Sequence, residues 1–63
     1  MTPEHAPETY VGLAADTAER IARNRGWRVV RQLPPGSIVT MEYLAGRINF
    51  EVEHEVVTRV WLG

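Results

Sequence analysis

Sixty-three residues, 44% of them apolar and 24% charged, make one small domain of ordinary composition, with a net charge of −1 that gives no whole-chain reason to expect a polyanion partner. Such a chain buries only about 60% of the surface it exposes when unfolded, so its core is one thin layer with little room for a dry catalytic cavity; a binding module is expected rather than an enzyme. There is no cysteine to cross-link it, and His5 and His54 are too few and too far apart for a metal centre, so neither a metal nor a cofactor is expected.

Residues 1–9 carry two prolines among polar side chains and read as a flexible lead-in to a single domain over residues 10–63. They lack the basic start and apolar run of a signal peptide, and no stretch approaches the roughly 20 apolar residues that span a bilayer. As written, the chain is expected to be soluble and monomeric; a leader removed earlier would change its compartment. From Leu13 to Arg25 the pattern is helical. Ala14, Ala18, Ile21, Ala22 and Arg25 share one side, and two acid-before-base pairs, Asp16–Arg20 and Glu19–Arg23, lie largely outside it. Gly26 suits the left-handed backbone that ends many helices.

Trp27 to Leu33 reads as a strand, stopped by Pro34-Pro35-Gly36. Arg47 to Glu53 is the clearest strand: Ile48, Phe50 and Val52 point one way, while Arg47, Asn49, Glu51 and Glu53 point the other. A short turn at His54-Glu55 leads to a hairpin partner, Val56 to Leu62. The fold class is α+β, one helix on a small mixed sheet.

Residues 34–46 do not fit a tight hairpin. Thirteen residues without a helical stripe, rich in β-branched side chains, can reach roughly 40 Å, enough to leave one strand and re-enter the sheet parallel to it. An extended loop held at both ends is a substrate mimic for proteases, which bind their substrates as strands. Already ordered, it loses little entropy on docking. If both ends stay in place after cleavage, resealing competes with release. Without disulfides, polar side chains must pin such a loop from below. Arg47 is placed to meet Glu42, and Asn49 to reach Thr40 or loop backbone.

The string Leu33-Pro34-Pro35-Gly36-Ser37-Ile38-Val39-Thr40-Met41-Glu42-Tyr43, followed by Arg47, resembles the potato inhibitor I family of serine protease inhibitors. Arg47-Ile48-Asn49 and Gly63 are similar to the related short bacterial and fungal elastase-inhibitor group. The resemblance runs from about Tyr10 to Gly63 and implies a wedge-shaped fold with a long exposed binding loop. It implies a scissile bond between Met41 and Glu42, flanked by Val39, Thr40 and Tyr43, with Met41 filling the primary pocket of a subtilisin-, chymotrypsin- or elastase-like enzyme. Family members support the loop with two arginines two residues apart; here Arg47 is retained and Asn49 replaces the second. Leu44-Ala45-Gly46 is less polar than the family's usual segment and implies a looser arm. Ala14 stands where a helix-capping serine is usual, which implies some loss of helix stability.

Other readings are blander. Trp27 and Trp61 read as core or edge-of-core packing, and His5 and His54 as exposed bystanders. Arg20, Arg23, Arg25, Arg28 and Arg31 fall within twelve residues and suggest a phosphate-binding patch, but there is no nucleic-acid motif, and Arg20 and Arg23 have acids four residues earlier. A further alternative is a non-inhibitory interaction module on the same scaffold, whose loop is cut rapidly between Met41 and Glu42.

Overall fold

The computed structural model describes residues 7–37 and 43–63. A 3-10 turn over Pro7–Tyr10 is followed by helix α1 (Ala15–Asn24) and strands β1 (Val29–Leu33), β2 (Arg47–Glu53) and β3 (Val56–Leu62). The strands form one sheet in the order β1-β2-β3, parallel between β1 and β2 and antiparallel between β2 and β3. This is the expected α+β architecture. The parallel pair inferred from the length of residues 34–46 is present, and β2 and β3 have the expected bounds.

Alternation along β2 sorts its side chains. Ile48 and Phe50 are fully buried beneath α1, where they join Tyr10, Ala18, Ala22, Trp27 and Val57 in one cluster. The Tyr10 and Phe50 rings pack tilted, with centroids 5.2 Å apart. Alanines on the buried side of α1 let its backbone approach the sheet closely. The Arg25 guanidinium lies 5.6 Å from the Tyr10 ring centroid, so its side chain does extend the edge of the helix's apolar side.

The helix begins two residues later than periodicity suggests. Backbone pairing with the hairpin takes precedence there: Gly12 N–H donates to Val57 O, Val57 N–H to Leu13 O, and Ala15 N–H to Glu55 O. Ala14, expected on the buried side, is the exposed N-cap instead, and Ala15 takes the buried place. As expected, Ala14 offers no side-chain cap; the Glu55 carbonyl satisfies one of the free N–H groups at the helix start. At the other end Gly26, at φ +101°, completes a Schellman motif. Trp27 N–H bonds to Ala22 O and Gly26 N–H to Arg23 O, both at 3.1 Å. That motif inserts the Trp27 ring into the core and delays β1 to Val29, two residues past the expected start.

Residues 7–9 belong to the turn that delivers Tyr10 to the core. The turn between β2 and β3 places His54 and Glu55 at φ 50° and 67°. Both central residues of this two-residue hairpin loop are thus in the left-handed region, the geometry that normally selects Asn-Gly. The pairing then shifts between Glu51↔Arg59 and Val52↔Val57, leaving Thr58 as an extra residue. This bulge lets Val57 and Val60, three residues apart, both reach the core.

Candidate functional site

With α1 on the inner face, the pairing registers lay out the outer face in rows. Val29, Arg47 and the residue after β3, Gly63, form the first row; Arg31, Asn49 and Trp61 the second; Leu33, Glu51 and Arg59 the third. Residues 34–46 leave the sheet at the third row and return at the first.

The departing end is shaped by a turn over Pro34-Pro35-Gly36-Ser37, in which Ser37 Oγ donates to Pro34 O at 2.6 Å. The returning end is Tyr43-Leu44, both exposed, then a turn closed by Arg47 N–H to Leu44 O at 3.2 Å. Gly46 O accepts from Arg28 N–H and Val29 N–H, and the Arg28 side chain lies over Gly46. These contacts hold the foot of the arm at Gly46.

Gly63 is the unexpected centre of the first row. Its N–H donates to Arg47 O at 2.9 Å, while its main-chain oxygen accepts from Arg47 Nε at 3.0 Å and from Arg47 Nη2. Tyr43, although 66% exposed, lies with its ring edge on Gly63. A Cβ added at position 63 would overlap Tyr43 Cδ2 and come within 2.7 Å of Cε2. A side chain there would have to push the exposed Tyr43 ring aside and adopt a φ of +78°, a backbone region that favours glycine.

Asn49 points away from the core, as expected, yet none of its surface is exposed. Its Oδ1 accepts from Arg31 Nε at 2.8 Å, and its Nδ2 donates to Trp61 O at 3.2 Å. Arg59 lies over the Trp61 ring at 4.9 Å, with Glu51 Oε1 3.9 Å from its guanidinium. Trp61 therefore packs on the outer face, and Trp27 alone of the two tryptophans belongs to the core.

Of the predicted site residues, the structure places Tyr43, Arg47 and Asn49 on or beside this face. Val39, Thr40, Met41 and Glu42 lie outside the described residues, and so do the contacts of Arg47 with Glu42 and of Asn49 with Thr40. His5 lies outside them as well. Sequence reasoning missed Arg31 and Trp61 as partners of Asn49, and the contact between Tyr43 and Gly63. Only the strand register brings these together, and a single strand's pattern does not encode it.

The arginine-rich stretch is divided by the fold. Arg23 pairs with Glu19 at 3.2 Å, Arg25 lies on Tyr10 and Arg31 on Asn49. Asp16 and Arg20 form no ion pair among the described residues. No cluster of metal-binding side chains and no helix long and apolar enough to cross a membrane occurs among the described residues.

No curated protein and no solved structure matches the chain. The family model for the peptidase inhibitor I78 family matches residues 7–59, from the turn that carries Tyr10 to the middle of β3. A family defined by peptidase inhibition implies a protease as partner. The chain belongs to the peptidase inhibitor I78 family.

Proposed function

We propose that the protein inhibits serine proteases of the subtilisin, chymotrypsin or elastase type by presenting residues 38–43 as a substrate-like strand. The reading rests on one observation: two parallel neighbouring strands are joined by thirteen residues, and the returning end of that connection is bonded beside the start of β1, where Gly46 O accepts from Arg28 N–H and Val29 N–H. A long connection whose returning end is held by the sheet suits a protein that is to be gripped without being lost. The resemblance to potato inhibitor I adds the assignment of the bond. Met41, unbranched and apolar, enters the primary pocket; Val39 and Thr40 precede it, and Glu42 and Tyr43 follow the scissile bond. The inhibitor supplies no chemistry. The enzyme's nucleophile attacks the Met41 carbonyl, and the anchored Glu42 amine remains close enough to reverse the step.

Titration of subtilisin, chymotrypsin and elastase with the purified protein, followed by mass spectrometry of the recovered inhibitor, tests this. Stoichiometric loss of activity, with intact protein and a Met41–Glu42 cleaved form in equilibrium, is the expected result. Full enzyme activity beside rapidly cut protein would instead identify a non-inhibitory interaction module. Met41→Asp is expected to abolish inhibition, because a carboxylate would have to be desolvated in an apolar pocket.

A further inference from the structure

The end of the sheet where the crossover returns is both apolar and cationic. By register Val29 stands beside Arg47 in the first row, and Gly63 lies on the other side of Arg47, with the Tyr43 ring against it. Leu44 follows Tyr43, its carbonyl bonded by Arg47 N–H. Val29, Tyr43 and Leu44 are 41%, 66% and 48% exposed, so three of the large apolar residues that the described chain leaves open to solvent gather at this one end. Two strand spacings, about 10 Å, separate Val29 from Gly63, which makes the three a patch rather than scattered residues.

Arg28 stands at the margin of that patch. Its N–H donates to Gly46 O, and its Cβ, Cγ and Cδ lie over Gly46, 3.4–3.7 Å from where a Cβ would stand there. The stem is thus given a direction while the residue stays exposed. No carboxylate lies within ion-pair distance of Arg28 among the described residues; the ion pairs there are Arg23–Glu19 and Arg59–Glu51. From Glu42 to Gly46 is four residues, at most about 14 Å of extended chain. An ordinary interface takes about 800 Å² from each partner, a disc of about 16 Å radius. A protease centred on the Met41–Glu42 bond therefore covers Gly46 and meets Arg28 at its rim.

We propose that Arg28 and Val29, with Tyr43 and Leu44, form a secondary docking surface for the protease, and that the enzyme it fits carries a carboxylate beside apolar surface on the side that receives the residues after the scissile bond. The inference rests on the proposed reading of Met41–Glu42 as that bond. It adds to the substrate-like strand a contact made by the start of β1, outside the crossover. Selectivity among enzymes with similar primary pockets then depends on the charge of their rims.

The test measures association and dissociation rates with subtilisin, chymotrypsin and elastase at low and high NaCl, alongside Tm and hydrolysis of the Met41–Glu42 bond. Arg28→Gln keeps the three carbons over Gly46 and removes the charge. It is expected to slow association with at least one inhibited enzyme about threefold at low salt, and Arg28→Glu about tenfold, both differences shrinking at high salt. Val29→Thr keeps the branched shape and is expected to raise the dissociation rate about fourfold, the worth of one buried methyl group. Tm and the rate of hydrolysis within the formed complex are expected to stay at the parent's values in Arg28→Gln. Parent-like rates for Arg28→Glu, or for Val29→Thr, with every enzyme that the parent inhibits would overturn the proposal. So would a slower association that persists at high salt or comes with faster hydrolysis, since that marks Arg28 as a support of Gly46 rather than a contact of the enzyme. If Arg28→Glu does not fold, Arg28→Gln decides by the same readings. A parent that inhibits none of the enzymes defeats the underlying reading instead, a result visible before any variant is made.

Discussion

The two faces of the sheet are held by different forces. On the inner face Ile48, Phe50 and Val57 meet Ala18, Ala22, Tyr10 and Trp27, and the cohesion is non-directional burial of apolar surface. On the outer face Arg31, Asn49, Trp61, Arg47 and Gly63 are joined by hydrogen bonds whose value depends on direction. The inner face determines whether the chain is folded. On the proposed reading, the outer face supports the crossover once it is. Damage to the two faces should therefore separate, the first appearing in Tm and the second in the rate at which the Met41–Glu42 bond is cut.

The largest effect belongs to the inner face. Phe50→Ala removes a fully buried ring against Tyr10 and is expected to cost about 3–5 kcal/mol, enough to leave a domain this small largely unfolded in a thermal or urea titration. Next is Gly63→Ala, which must displace Tyr43 and place a side chain at a φ of +78°. It is expected to cost about 1–3 kcal/mol and to speed hydrolysis further than its Tm alone would suggest. Arg47→Ala removes both side-chain bonds to Gly63 O at a half-buried site, an expected loss of about 1–2 kcal/mol accompanied by faster proteolysis. If Arg47→Ala resists cleavage as well as the parent does, its pinning role is wrong. The smallest effect has the opposite sign. Glu55→Gly relieves a left-handed turn residue remote from the outer-face rows and should stabilise by about 1 kcal/mol, with hydrolysis and inhibition unchanged.

Much of the inner face was legible in the sequence. Alternation fixed the bounds of β2 and named Ile48 and Phe50 as its buried side chains, and the thirteen residues before it announced a parallel partner. Periodicity failed at the start of α1, where Leu13 and Ala14 continue the helical pattern but their backbone pairs with the hairpin. Composition likewise gave no sign of the 3-10 turn over Pro7–Tyr10 that seats Tyr10. The outer face was harder to read for a physical reason. Polar residues on alternate positions of a strand are expected to meet water, and Arg47 and Asn49 were correctly placed on that side. That Asn49 is sealed there depends on which residues of β1 and β3 lie beside it, and a slip of one position in either register would replace Arg31 or Trp61.

Tyr10 reaches the interior from a four-residue turn at the margin of the domain rather than from the helix or the sheet, and its hydroxyl has no hydrogen-bond partner among the described residues. An aromatic ring delivered in this way makes the core depend on a segment outside the regular elements. A chain trimmed to start at Leu13 would lose a buried ring beside Phe50, and its thermal or urea titration is expected to show it largely unfolded, as for Phe50→Ala.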